Sequence, residues 1–176
     1  MIPSVTTILK PYTDFSGIRP EVLHHAAERG TRFHRYVSAR LQGLMLPPVM
    51  PDIQGFVVSW ERWAADMIDK VYEVEAALQD DVFGYRGHID AIIRIKGDKK
   101  LTVVDWKTPV QAQKTWELQI AGYRRLAEVA GYDIGREMSV RPDRYVGRAK
   151  ATEYTRYPIA LKAFLGALSV WRFLHE

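Results

Sequence analysis

Asp90, Asp105 and Lys107 fall within one short reach of the chain, GYRGHIDAIIRIKGDKKLTVVDWKTP, residues 84–109. Asp90 interrupts the apolar, β-branched run GHIDAIIRI, and Asp105 and Lys107 close the run LTVVDWK. Residues two apart on a strand point the same way, so Asp105 and Lys107 share a face, with Val103 behind them and Trp106 opposite. Gly97-Asp98 between the runs suits a hairpin turn, which brings Asp90 to the same end of the sheet. Two carboxylates converging there repel unless a cation lies between them. Oxygen donors of this kind suit a hard divalent ion, with Mg²⁺ the natural candidate. Beside such an ion, Lys107 can orient an attacking water, assist its deprotonation, or stabilise charge on a phosphate oxygen. A metal-activated water attacking phosphorus in line would make a phosphodiester hydrolase.

An Asp-x-Lys triplet is common by chance, and a solvated strand end is its ordinary explanation. Its weight comes from company at fixed offsets. Gly87-x-x-Asp90 precedes Asp105-Trp106-Lys107 across one hairpin, and Gln119-x-x-x-Tyr123 follows, a spacing that shares one helix face. Upstream, Gly30-Thr31-x-x-His34 offers a histidine from a separate helix.

Together these residues resemble the RecB-type nuclease branch of the PD-(D/E)XK superfamily, above all its compact exonucleases from phages and mitochondrial genome maintenance. The resemblance runs through PSVTTIL, GTRFH, VEAAL, GHIDAI, VVDWKT, LQIAGY and AFLGALSVWRF. It implies an α/β fold with a restriction-endonuclease-like core, a central mixed β-sheet flanked by α-helices. It also implies a role for each matching residue. Asp90 is then a metal ligand, Asp105 bridges metal and scissile phosphate, and the Trp106 carbonyl ligates the same ion. Lys107 is the motif lysine, and His34 the helix-borne histidine that contacts metal. Gln119 and Tyr123 support the site and touch DNA, with a plain core role the alternative for Tyr123. Glu75 holds a second ion or a water, or is a solvated strand face. A histidine among the ligands makes Mn²⁺ as acceptable as Mg²⁺.

The activity so implied is a divalent-metal-dependent DNA exonuclease acting on single- or double-stranded DNA with a free end, in recombination, repair or replication. A recombination or replication protein is the expected partner. The expected place is the cytoplasm of a bacterium or a phage-infected host. A structure-specific endonuclease with the same site, or a non-catalytic DNA-binding module of the same fold, are the alternatives.

The elements that must position these residues are legible as periodicities. RPEVLHHAAERGTRFHRYVSARLQGL (19–44) reads as a helix with Pro20 in its first turn, and Gly30 marks a close approach or a break. DIQGFVVSWERWAADMIDK (52–70) is a second helix, with Phe56, Trp60, Trp63 and Met67 on one stripe. VYEVEAAL (71–78) alternates as a strand, with Tyr72, Val74, Ala76 and Leu78 on one face and Glu73 and Glu75 on the other. A helix over 115–131, irregular Arg-rich strand pieces over 136–156 and a final helix over 159–176 complete the order. The metal site is expected at one edge of the resulting sheet.

The chain of 176 residues suits one domain spanning 1–176, with 47% hydrophobic and 26% charged residues. It contains no cysteine, so thiolate zinc sites, disulfides and cysteine-held iron–sulfur clusters are excluded. No stretch reads as a membrane span or a secretory leader. A net charge of +4 is compatible with nucleic acid. Arg19, Arg29, Arg32, Arg35, Arg124, Arg125, Arg136, Arg141, Arg144, Arg148 and Lys150 are the candidate phosphate contacts. Trp106 and Trp116 lie near enough to stack on an unpaired base, although strand parity and the helical stripe favour packing for both.

Overall fold

Strand and helix patterns alternate along the chain in the way a layered α/β domain requires. A computed structural model describes residues 2–14, 16–109 and 111–175. A short helix α1 (Val5–Leu9) is capped by Ser4, whose side chain accepts from the Thr7 amide, and runs into a 3-10 turn over Lys10–Tyr12. Helix α2 (Pro20–Gln42) follows, with Pro20 in the first turn and Gly43 closing it in the left-handed region at φ +66°. Helix α3 spans Gln54–Met67, and strand β1 then runs Ile68–Asp80. Strands β2 (Tyr85–Ile95) and β3 (Leu101–Trp106), helix α4 (Thr115–Val129), strands β4 (Ile134–Arg141) and β5 (Lys150–Glu153) and helix α5 (Tyr157–His175) complete the order. The expected last residue of that final helix, Glu176, lies outside the described residues.

The five strands lie in the order β1-β2-β3-β4-β5. Strands β3 and β4 are parallel and joined through α4, while the other neighbours are antiparallel. A parallel pair needs such a crossover, because a tight turn can only reverse direction. Helix α4 stops in a Schellman arrangement: the Gly131 amide donates to Glu128 and the Tyr132 amide to Ala127, with Gly131 at φ +94°.

Apolar residues divide into one cluster on each face. Val5, Ile8, Ile120, Leu126 and Phe164 from α1, α4 and α5 pack on Ile89, Ile92, Val103 and Ile134. Phe33, Val37, Phe56, Trp60 and Trp63 from α2 and α3 pack on Ile93, Val104, Trp106 and Val140. The result is a mixed sheet between two helical layers, as the patterning and the resemblance both implied.

Several sequence expectations need correction. Helix α3 yields to strand at Ile68, before its expected end at residue 70, and the expected irregular pieces at 136–156 include a regular, largely buried β4. Strand β1 does not alternate cleanly. Its pairing slips at Tyr72, between Val71↔Ile93 and Glu73↔Ile92, leaving Tyr72 exposed. Glu75 adopts φ +54° within the strand. Glu73 consequently accepts from the Tyr132 hydroxyl beyond α4 at 2.6 Å, while Glu75 joins His34 of α2, so these two do not share a face.

Candidate active site

The ladder between β2 and β3 stops at Ala91↔Val104. Beyond that pair β2 continues on β1 and β3 continues on β4, so the two central strands fork. Asp90 and Asp105 stand at the fork. The site therefore lies inside the sheet rather than at the edge expected from the sequence, because the edges are β1 and β5. Alternation along β2 breaks at the same point: Ile89 faces α4 whereas Ala91 faces α2 and α3. The Trp106 amide, lacking a strand partner here, donates to Asp90 Oδ2 at 2.7 Å. A carboxylate thus replaces a backbone carbonyl and pins β3 to β2.

On the α4 side the groups form a closed set of hydrogen bonds. Lys107 Nζ lies 2.7 Å from Asp105 Oδ2 and donates to Gln119 Oε1 at 2.8 Å. The Gln119 amide nitrogen donates to the Tyr123 hydroxyl at 3.0 Å and reaches Asp105 Oδ1 at 3.5 Å. Burial, reinforced by the charge of Asp90, holds the Asp105 carboxyl above the usual range, while Lys107 opposes the shift. Burial likewise raises the Tyr123 phenol, with Asp105 adding to the effect. Tyr123 stays a neutral donor or acceptor at ordinary pH.

Gly87 explains itself here. A Cβ at that position would come 2.9 Å from both the Tyr123 ring and Leu126, so the glycine of Gly87-x-x-Asp90 makes room for α4. Lys107 also sits 5.3 Å from the Trp116 ring centre, and a cleft of about 170 Å³ opens beside it, lined by Thr6, Thr13, Gln113, Thr115 and Trp116 among others.

On the α2 side the arrangement is different. His34 Nδ1 lies 3.4 Å from Asp90 Oδ1, and its Nε2 meets the Trp106 carbonyl at 3.0 Å. Ligand atoms of His34, Glu75 and Asp90 all lie within 4.8 Å of one another. Burial works against charging His34, yet Asp90, Asp105 and Glu75 together push its pKa up to about 9. Glu75 is itself raised, by burial and by the charge of Asp90. A surplus of negative charge gathers here, and the imidazolium offsets part of it. Helix α2 can reach in because residue 30 is glycine: a Cβ there would lie 3.3 Å from Thr108 Oγ1. Gly30 is a point of close approach within one continuous helix, and His34 follows one turn later.

The structure brings His34, Glu75, Asp90, Asp105, the Trp106 carbonyl, Lys107, Gln119 and Tyr123 to the one fork. It leaves His88 exposed, and His24 and His25 stand with Glu28 in an exposed group on the first turns of α2. The Trp106 side chain is only 2% exposed and meets Trp60 and Trp63 edge-on at 5.7 and 5.8 Å. Trp116 is 7% exposed, so neither tryptophan presents a stacking face to solvent. Of the cations proposed for phosphate contact, Arg32, Arg124, Arg125 and Arg136 are held in ion pairs with Asp52, Glu128, Asp80 and Asp98. Sequence reasoning missed Thr108 and the left-handed backbone of Glu75. Thr108 follows the motif directly, whereas nothing in VEAAL announces a positive φ.

No protein-family profile and no curated protein matches the chain. Solved structures do match in shape. A candidate exonuclease from Eubacterium rectale superposes with a TM-score of 0.54 at 13% identity, over 82% of this chain and 64% of that one. The present chain thus spans less than two thirds of that protein's length. An alkaline exonuclease from Laribacter hongkongensis, LHK-Exo, aligns over 98% of this chain and 90% of its own at 14% identity, with a TM-score of 0.43. What the chain shares with the Eubacterium rectale protein is its fold, a mixed α/β arrangement with the sheet between helical layers.

Proposed function

We propose that the protein is a divalent-metal-dependent DNA exonuclease. One observation carries the reading. At the strand fork Asp105 is fixed by Lys107 and Gln119 on one side, while His34, Glu75 and Asp90 converge on the other. The donor set fits a divalent ion: carboxylates and one imidazole suit Mg²⁺ or Mn²⁺, and their mutual repulsion is relieved by positive charge. Asp90, Asp105 and the Trp106 carbonyl are the residues that would hold it, with His34 and Glu75 beside them. When bound, such an ion supplies charge neutralisation at the phosphate and acidifies a water.

The chain's own residues do the rest. Hydrolysis forms a bond from water oxygen to phosphorus, breaks the bond from phosphorus to one sugar oxygen, and returns a proton to that leaving oxygen. Lys107, held between Asp105 and Gln119, places an ammonium where a non-bridging oxygen gains charge. Gln119 and Tyr123 keep that lysine from swinging into solvent, which preserves its geometry for the transition state. Asp105 keeps water and lysine within reach of one another. DNA with a free end is the substrate we assign, in recombination, repair or replication inside a bacterial or phage-infected cell. Among the described residues no helix is long and apolar enough to cross a membrane.

A time course with linear DNA labelled at the 5′ or the 3′ end, beside a covalently closed circle, tests this in EDTA, Mg²⁺ and Mn²⁺. Loss of linear DNA alone, abolished by EDTA and by Asp105→Ala or Lys107→Ala, is the expected result. Cutting of the circle would replace the exonuclease with an endonuclease, and DNA binding without cleavage in any metal would leave a binding module.

A further inference from the structure

The segment between β4 and β5, residues 142–149, is built more firmly than an exposed connection needs to be. The Asp143 carboxylate accepts from the Tyr145 amide at 2.6 Å and the Gly147 amide at 3.0 Å, and the Asp143 amide donates to Ser59 Oγ at 2.9 Å. Arg62 donates to the Val146 carbonyl at 3.1 Å. The Arg144 carbonyl lies so close to α3 that a Cβ on Gly55 would fall 1.8 Å from it. Val146 is held at φ +68°, an unfavourable conformation for a β-branched residue. Strain of this kind persists only where surrounding contacts enforce it.

Among the exposed side chains of this anchored segment, one is a large aromatic. Tyr145 is 81% exposed, with the Arg144 guanidinium 5.5 Å from its ring centre. Arg148 and Lys150 are exposed nearby in sequence, and among the described residues Arg144, Arg148 and Lys150 form no ion pair with a carboxylate. The segment also begins beside the catalytic fork: it follows Arg141, the last residue of β4, whose neighbour Val140 has a carbonyl that accepts the Lys107 amide at 3.0 Å. An aromatic ring beside unpaired cations, on a fixed backbone, is what a single strand of nucleic acid needs. Every base offers a flat face for stacking, and phosphates need only positive charge. Because the backbone is already ordered, binding loses little entropy there.

We propose that Tyr145, flanked by Arg144, is a base-stacking platform for an unpaired nucleotide of single-stranded DNA at the rim of the catalytic fork. This rests on the nuclease reading for its choice of ligand. It supplies the stacking surface that Trp106 and Trp116, both buried, do not.

Fluorescence anisotropy with a short labelled oligothymidylate and with a duplex of equal length, both in EDTA, reads binding without cleavage. Tyr145→Ala should weaken single-strand binding by about fivefold to a hundredfold. Tyr145→Phe should keep that affinity, duplex affinity should be the same for all three proteins, and melting temperatures should agree because the ring is exposed. Unchanged single-strand affinity in Tyr145→Ala overturns the platform, and so does an equal loss in Tyr145→Phe or an equal loss on duplex. Since no hydrolysis is involved, a stacking loss stands even if no metal ever yields cleavage. Conversely, cleavage of linear DNA with unchanged binding in Tyr145→Ala removes the platform and leaves the nuclease.

Discussion

The two sides of the strand fork are made from similar residues but are held in opposite ways. On the α4 side every polar group has a partner: Asp105 has Lys107, Lys107 has Gln119, and Gln119 has Tyr123. On the α2 side Glu75 and Asp90 crowd the same few ångströms, and His34 is driven to about pH 9 by their charge. The first arrangement is complete without any ligand, and the second is short of positive charge. On the proposed reading, a site that fixes its lysine and leaves Glu75 and Asp90 under-compensated divides the labour between positioning and ion binding, with Asp105 common to both. That division can be broken by experiment.

The largest effect should come from Lys107→Ala. Removing one preorganised charge aimed at a transition state typically costs about a hundredfold to a thousandfold in turnover. Because the lysine is not an ion ligand, raising Mn²⁺ should not restore the rate. Glu75→Gln should behave in the opposite way, needing more Mn²⁺ for half-maximal rate but recovering most of the turnover at saturation. Steady-state rates across a Mn²⁺ titration separate the two. If both variants are rescued equally, the two sides of the fork do not differ in function.

How much of this was legible before the structure depends on the kind of information each residue carries. Asp105, Trp106 and Lys107 obeyed strand parity, because β3 is short, regular and packed on both faces, as Val103 and Val104 show. Gln119 and Tyr123 obeyed helical spacing for the same reason. The fork itself was invisible, since it depends on where two strands stop pairing rather than on either strand's composition. Glu75 could be placed near Asp90 only through the resemblance. Its backbone twist and the slip at Tyr72 arise from tertiary constraint, which overrides the alternation in VYEVEAAL. Gly87 and Gly30 looked like motif letters, and the reason for each is a neighbour distant in sequence, Tyr123 in one case and Thr108 in the other.

Glu137 extends the comparison to a buried acid outside the fork. It lies on β4 opposite Val103, fully buried, and its nearest cation is Arg124 Nη1 at 3.7 Å. Neither carboxylate oxygen has a hydrogen-bond partner among the described residues. Burial pushes its pKa from 4.5 up to about 7, with Arg124 opposing. The folded chain therefore keeps a proton that the unfolded chain has already released. The associated stability is fully present below pH 4.5 and is lost as pH rises towards 7, on the order of 3 kcal/mol in total. Urea midpoints at pH 5 and pH 8 should differ by less in Glu137→Gln than in the wild type, and the variant should be the more stable at pH 8. An unchanged difference would mean that Arg124 keeps Glu137 ionised across that range despite its burial.

The smallest effects return to the fork with the ion withheld. In EDTA, Gln119→Ala should destabilise by about 1–2 kcal/mol, because it strips Lys107 of an acceptor and Tyr123 of a donor in a buried place. Glu75→Gln should do the reverse, relieving repulsion from Asp90, by no more than about 1 kcal/mol since Glu75 is partly solvated and screened. Its backbone complicates that reading, because a left-handed residue with a Cβ carries about 1–2 kcal/mol of strain whatever its charge. Glu75→Gly removes charge and strain together but adds freedom to the unfolded chain, at roughly 0.5–1 kcal/mol. The glutamine and glycine variants should therefore melt close to one another and both above the wild type in EDTA. With Mn²⁺ added the order should invert, because only the wild type keeps the glutamate beside the ion. Should Glu75→Gln melt below the wild type in EDTA, the α2 side would be as self-sufficient as the α4 side, and the asymmetry of the fork would be lost.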